Sequence, residues 1–485
     1  LYKKLLGQTA IYGLGTIVVR IFPFIASPFL TSAFGPEALA PFVDFYSVAG
    51  IIIVLLSHGM ETTFFRFSEI EKDTQKLIST STISVVGLSF VFMLLCYIFR
   101  NFISEIFKTP DQVHYLVMML FILGIDGLCT MPFVMLRKKG RAKKFVIIKI
   151  ACAIINFSLL LFFIVILPRF GNSGFLGVIY DGNFGIGYAF LANLIASIVT
   201  FLLLLDELKG VKFSKFCFSL WKKLMRYSLP ITFAGLAGVV NETLDRQFLK
   251  YLLPEGENTR QMAIYGTVCR IVTFMTLFRQ AYLLGIEPFF FANEKKDNSK
   301  DTYSQLMTFF VLANCVIMLG ICANLEWISH TYIRNSEYYS GLSILPIVLV
   351  ASVFLGIYLN LSIWYKLTGK TILGAYISII GAIVTIVVNY IFIPKFGYWA
   401  SASATLCSYF VMMIVSYFWG RNHYYVPYNI KKISIYLIFS ILFSYLSYYC
   451  FKGNLILGNG LLLIFLGIAF FMERKSISKI IKSVE

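Results

Sequence analysis

Arg137-Lys138-Lys139-Gly140-Arg141-Ala142-Lys143-Lys144 runs directly into Phe145-Val146-Ile147-Ile148-Lys149-Ile150-Ala151-Cys152-Ala153-Ile154-Ile155-Asn156-Phe157-Ser158-Leu159-Leu160-Leu161-Phe162-Phe163-Ile164-Val165-Ile166-Leu167. A cationic run abutting an apolar stretch of about twenty residues reads as an anchor at a membrane surface followed by a helix long enough to cross the bilayer. The unit recurs along almost the whole chain. Apolar stretches of this kind fall at 8–33, 39–60, 77–99, 113–136, 145–167, 186–205, 224–250, 262–290, 305–325, 342–364, 372–393, 399–419, 432–450 and 454–471. The predicted fold class is therefore an all-α integral membrane protein of about 14 transmembrane helices.

Composition agrees. Charged residues make up 14% of the chain and hydrophobic ones 58%, which leaves no stretch for a sizeable water-soluble domain. The net charge of +18 would suit a nucleic-acid partner, but the placement of the charges excludes it. With loops assigned alternately to two sides, one side holds about 29 Lys and Arg and the other about 8, a positive-inside signal. The rich side carries Lys3, Lys4, the run 137–144, the stretch Lys209 to Arg226, Lys295, Lys296, Lys300, Lys431, Lys432 and the tail from Arg474. It is read as cytoplasmic, with both termini on it, and its cations meet anionic lipid headgroups. The expected location is a bacterial cytoplasmic (inner) membrane. The nine cysteines show no CxxC pair and no ligand spacing with histidine, so they read as small buried hydrophobes. The first apolar stretch is too long for a cleavable signal and meets Pro23 and Pro28 without an A-x-A site.

An internal repeat is visible. Lys3-Lys4-Leu5 opens the first span and Lys222-Lys223-Leu224 the seventh; Leu167-Pro168-Arg169-Phe170-Gly171 closes the fifth and Ile393-Pro394-Lys395-Phe396-Gly397 the eleventh. An offset of six spans keeps orientation, so the halves form a parallel repeat about an axis along the membrane normal. The expected organisation is an N-lobe at 1–206, a C-lobe at 222–420, and an extra helix pair with a tail at 421–485. Rocking one lobe against the other would give alternating access without breaking any helix. The last two spans carry almost no ionisable residue, as lipid-facing helices would.

In such a chain the ionisable residues inside spans are the functional candidates. Arg20 sits mid-way along the first span, either paired with a carboxylate such as Asp44 or lining a wet cavity. Asp44 and Asp126 are the acids of the first lobe's spans, each a candidate for pairing or for carrying a coupling proton. The seventh span carries Asn241-Glu242-Thr243-Leu244-Asp245-Arg246. Glu242 and Arg246, four apart, can pair on one helix face, leaving Asp245 for a gate; the same cluster could equally be self-satisfied. The eighth span carries Arg270 and Arg279, with Glu287 near its cytoplasmic end. Arg270 lies at a depth similar to Glu242, so an ion pair between them is plausible. Together Arg20, Arg270 and Arg279 bias a cavity positive, which suits a diphosphate because guanidinium grips phosphate oxygens in a bidentate fork.

Several motifs fail. Thr368-Gly369-Lys370-Thr371 imitates the end of a phosphate loop, but Trp364 stands at the first glycine position and no strand precedes it. Three glycosylation triplets, at Asn156, Asn241 and Asn360, lie inside spans. His58, His114, His330 and His423 lack metal spacing, so no metal or cofactor is expected.

The opening Lys3-Lys4-Leu5-Leu6-Gly7-Gln8-Thr9-Ala10-Ile11-Tyr12-Gly13-Leu14-Gly15 with Arg20, and the segment His58-Gly59-Met60-Glu61-Thr62-Thr63-Phe64-Phe65-Arg66-Phe67, resemble the polysaccharide-type flippases of the multidrug/oligosaccharidyl-lipid/polysaccharide (MOP) exporter superfamily over the full length of the chain. The resemblance implies two six-helix lobes plus a C-terminal pair around a central cationic cavity. It also implies transfer of an undecaprenyl-diphosphate-linked oligosaccharide to the outer leaflet for O-antigen, capsule or exopolysaccharide assembly, alongside polysaccharide polymerase or other assembly proteins. Arg20 and Arg270 look like that family's cavity cations and Asp44 like its second-helix acid. The rivals are a drug or metabolite exporter of the same fold and a membrane-embedded polymerase or ligase. The latter needs a large outer loop, and the longest here, Pro168 to Gly185 and Glu326 to Gly341, are short.

Overall fold

In lipid, every backbone polar group must find its partner within the segment, which leaves helices as the form open to these apolar runs. The computed structural model describes residues 2–170, 180–293 and 299–484, and no strand occurs among them. The side chains of residues 1–12, Glu287 and the tail beyond Arg474 lie outside the described residues, as do Lys295, Lys296 and the loop stretch 171–179.

The main helices are α1 (Tyr2–Ala33), α2 (Pro36–Ser57), α3 (Met60–Phe67), α4 (Thr74–Ile98), α5 (Arg100–Ile106), α6 (Val113–Lys138), α7 (Ala142–Leu161), α8 (Gly187–Leu208), α9 (Phe218–Leu252), α10 (Glu257–Val268), α11 (Thr273–Asn293), α12 (Ser299–Ala323), α13 (Leu345–Leu361), α14 (Thr371–Phe396), α15 (Tyr398–His423), α16 (Ile430–Tyr445) and α17 (Leu455–Val484). Local chemistry sets their ends. Pro36 opens α2 at a position where its missing N–H costs nothing. Asp73 caps α4 by accepting the Lys76 N–H at 3.0 Å, and Asn429 caps α16 through the Lys432 N–H at 3.2 Å. Between α2 and α3 the backbone turns left-handed at His58 (φ 32°) and Gly59 (φ 64°).

Among the described residues twelve helical segments are long and apolar enough to cross a membrane, and Ile17–Ala33 is a further, shorter apolar helix. Against the fourteen spans expected, the seventh falls short of this measure of composition. The predicted stretch 224–250 is a helix, α9, but it is not among the twelve. Lys222 to Arg226 on one side and Asn241 to Arg246 on the other leave only the stretch 227–240 free of charge, fourteen residues in which Ser, Thr, Pro and Gly dilute Leu, Ile, Phe and Val. The eighth span is interrupted by a 3₁₀ turn, Cys269–Val272, between α10 and α11.

By their contacts the residues group into two compact units, Leu1–Ala263 and Ile264–Glu485. In the first, α1 packs on α7, α7 on α8, α8 on α6, α6 on α4 and α2, and α2 on α9. Its core joins Met60, Phe64, Leu77, Val85, Met131, Val134, Leu220 and Leu224. The α2–α9 pair runs antiparallel along its whole length. A side chain at Gly50 would come within 3.0 Å of Val239, one at Gly235 within 3.3 Å of Val54, and one at Gly59 within 2.8 Å of the Ser228 carbonyl oxygen. Small residues let these backbones approach, as intramembrane helix contacts require.

In the second unit α15 packs on α13 and α14, and α12 on α13, α16 and α17. The C-terminal pair is pinned to the end of α12 by a reciprocal amide pair, Asn324 with Asn459, at 3.0 and 3.2 Å. It also carries a buried polar cluster, in which Glu473 accepts from Tyr436 (2.8 Å) and Lys432 (2.6 Å).

Candidate functional site

Arg20 lies mid-way along α1, with Pro23 and Pro28 following in the same helix. Its side chain is exposed, and it has no ion-pair or hydrogen-bond partner among the described residues. The alternative of a pair with Asp44 is therefore corrected: Asp44 is held elsewhere. An arginine left facing hydrocarbon costs about 2.5–3.5 kcal/mol on insertion scales, so an exposed, unneutralised guanidinium at this depth belongs beside water or an anion.

Asp44 sits on α2 and Lys250 on α9, each 1% exposed, and the two form an ion pair. Gln247, one turn before Lys250, donates to Asp44 Oδ1 (2.8 Å) and to Ser47 Oγ (2.6 Å). Asn258 donates to the Lys250 carbonyl oxygen at 3.1 Å, and the ammonium stands 5.4 Å from the Phe107 ring centre. A cavity of about 190 Å³ opens onto the pair, lined also by Glu37, Lys108, Asp111 and Gln112. The buried charges thus sit next to a polar space large enough for several waters. This cluster lies at the lysine- and arginine-poor end of the bundle. Lys250 and Gln247 escaped the sequence reading. Their only local signal was the i, i+3 spacing that puts both on one helix face; the partner, Asp44, is 206 residues away.

The remaining candidates are distributed. Asp126 on α6 accepts from Ser197 on α8 (2.9 Å), and Lys149 on α7 lies within electrostatic reach of it. Asp245 is buried and accepts the Arg246 N–H at 2.8 Å. Arg246 donates to the main-chain oxygen of the exposed Glu242 at 3.2 Å. In the second unit Arg270 sits in the 3₁₀ turn that breaks the eighth span, within electrostatic reach of Tyr338. Arg279 is 7% exposed and donates to Ser352 Oγ (3.2 Å) and Thr276 Oγ1 (3.5 Å). Of the three predicted cavity cations, Arg20 is the one whose charge is displayed and Arg279 the one sequestered in the packing of its own unit.

The run 137–144 folds back on the protein. Glu207, its side chain 2% exposed, collects Lys139 (2.6 Å), Lys144 (2.9 Å) and Arg141 (3.4 Å), while Arg137 pairs with Glu61. Next to this surface, the Ser219 hydroxyl, the Leu220 N–H and nearby Lys76 lower the Cys217 thiol to about 7. No group of three or more His, Cys, Asp or Glu side chains placed to hold a metal occurs among the described residues.

The family profile described as polysaccharide biosynthesis protein matches residues 5–279, more than half of the chain. The chain belongs to this family. A second profile, MatE, matches residues 230–391. No curated protein matches the chain. Among solved structures, "Lipid II flippase MurJ, inward closed conformation" is similar at a TM-score of 0.74 with 15% identity, covering 96% of this chain and 100% of that one. An inward-facing multidrug resistance MATE family transporter of the MOP superfamily is similar at 0.66 with 17% identity, covering 85% and 94%. A MOP superfamily transporter from Pyrococcus furiosus is similar at 0.56 with 15% identity, covering 90% and 96%. At these identities the likeness shows the fold.

Proposed function

We propose that this family member turns an undecaprenyl-diphosphate-linked oligosaccharide from the cytoplasmic to the outer leaflet by alternating access, for O-antigen, capsule or exopolysaccharide assembly. The observation that carries the reading is Arg20, a displayed, unneutralised cation mid-way along a membrane helix. A diphosphate satisfies it with charge-assisted bonds while the lipid tail stays in hydrocarbon, avoiding about 0.8 kcal/mol per methylene moved into water. Arg270, at a break in its helix, is the second headgroup contact, and Arg279 positions the helix that bears it. Asp126, Glu242, Asp245 and Arg246 are the candidates for coupling or gating. The lobes are 1–206 and 222–420 with the pair 421–485 appended, in a bacterial inner membrane with both termini cytoplasmic. An inside-negative potential favours outward movement of an anion by about 2.3 kcal/mol per charge per 100 mV, enough to bias the cycle without nucleotide hydrolysis. Proton or sodium coupling is the other option.

The MatE match at 230–391 favours a second reading, export of a drug or metabolite by the same fold. Purified protein in vesicles, given a fluorescent lipid-linked oligosaccharide and an imposed potential, separates the two. Transfer of the lipid-linked sugar supports the flippase; no transfer under any gradient, together with drug hypersensitivity of a deletion strain, supports the exporter.

A further inference from the structure

Outer closure in such a transporter requires contact between helices that later part, and α2 and α9 supply one with an unusual composition. Their middle is close-packed, with Gly50 against Val239 and Gly235 against Val54. Their outer end holds a buried ion pair, Asp44 with Lys250, beside a polar cavity of about 190 Å³. Apolar side chains would seal that end more firmly. A buried ion pair gives up the hydration of both charges, and its mutual attraction repays this only in part, so apolar substitutes of similar size often hold a contact better.

We propose that the Asp44–Lys250 pair is the outer closure between the second and seventh spans, built to release. Separating the helices lets water from the cavity hydrate both charges, so the open form recovers what the closed form sacrificed. Gln247 fixes the register of the closure by bridging Asp44 and Ser47, and Asn258 anchors the Lys250 backbone. The proposal rests on the transport reading for its purpose, but its signature does not need the substrate.

That signature is a reversal of sign. Removing one charge strands the other in the closed state and forces the outer end open. Removing both with apolar residues leaves a well-packed contact that stays shut. A merely structural pair predicts instead that the double substitution leaves access unchanged. Ser47 is 3% exposed, one turn from Asp44, and sealed beneath the pair, so Ser47→Cys reports outer opening. The full-length Ser47→Cys protein is reconstituted right-side-out and treated with a membrane-impermeant maleimide, and modification at position 47 is read by peptide mass, so the native cysteines do not interfere. Asp44→Asn or Lys250→Met is expected to raise the labelling rate roughly tenfold, and Asp44→Leu with Lys250→Leu to lower it below the starting protein. A double variant that labels as fast as, or faster than, the unsubstituted pair overturns the proposal. Because that variant buries no lone charge, the test survives even if the single variants do not fold. Should the labelling reverse as stated while no lipid-linked oligosaccharide moves, the closure stands and the flippase reading falls.

Discussion

Replacing Arg20 by Ala removes a charge that the protein itself does not use. The side chain is exposed and has no partner among the described residues, so folding should be affected by no more than about 0.5 kcal/mol, the range for surface substitutions away from special features. The headgroup, in contrast, loses hydrogen bonds to a charged group, worth about 1.5–3 kcal/mol. At about 1.4 kcal/mol per tenfold, transfer at limiting substrate should fall about 10- to 150-fold while the unfolding temperature in detergent stays put. Arg20→Lys keeps the charge but loses the bidentate fork, so it should fall between the two. The measurement pairs initial rates of lipid-linked oligosaccharide transfer in vesicles with surface polysaccharide in cells carrying only the variant. Normal polysaccharide with Arg20→Ala, or a large drop in unfolding temperature with unaltered transfer by the surviving protein, would refute the assignment of this cation to the substrate.

Three further outcomes test the surrounding structure. Cys217, held near about 7 by the Ser219 hydroxyl, the Leu220 N–H and Lys76, reacts as its thiolate; its alkylation rate should therefore rise with pH and reach half its plateau near pH 7, from the cytoplasmic side alone, whereas a midpoint near the ordinary value of about 8.5 contradicts that arrangement. Gly59→Ala places a Cβ at φ 64° and 2.8 Å from the Ser228 carbonyl oxygen, so the α2–α3 corner should lose at least about 1–2 kcal/mol, seen as lower yield and unfolding temperature. Glu207→Gln strips the common counter-charge from Lys139, Arg141 and Lys144; because these cations are 36–57% exposed and can turn to water, the loss should be about 1–3 kcal/mol and shrink in high salt, and an unchanged salt dependence of unfolding counts against it.

How much of this was legible in the sequence depends on the range of each interaction. Hydropathy is local, and twelve of the predicted spans correspond in order to apolar helices of the right length. Arg20 was legible for the same reason, since an arginine inside an apolar run needs no partner to stand out. The fate of Asp44 was not. Its partner, Lys250, comes from a helix 206 residues later, and nothing local to either residue pairs them. Arg279 was legible as an intramembrane cation, but its burial depends on Ser352 and Thr276, hydroxyls that no charge pattern singles out. The basic run 137–144 gave the sidedness, yet Glu207, the acid that gathers it, looked like part of a loop.

The seventh helix shows why averaging along a chain fails where function concentrates. Its buried positions fall in two runs at steps of four, Leu220, Leu224, Ser228 and Thr232, then Asn241, Asp245 and Leu249 with Lys250 beside it; the stride of nine between the runs is two and a half turns, so Asn241 leaves the helix on the side opposite Thr232. Between the buried positions the helix exposes Tyr227, Leu229, Phe233 and Tyr251, and also Lys222, Lys223, Arg226 and Glu242. Along the middle of the helix Ser228, Thr232, Asn241 and Asp245 are buried while Leu229 and Phe233 are exposed, the reverse of a soluble helix. A window that averages along the helix reports it as too polar for lipid, although part of its polar content is buried against protein. The two helices fit because α2 presents Asp44, Ser47 and Gly50, and the α2–α3 corner Gly59, residues that accept hydrogen bonds from Gln247 or let the backbones come close. Substituting the fully buried Ser228 by Leu would make α9 a better membrane span by composition and a worse neighbour for the α2–α3 corner at Gly59.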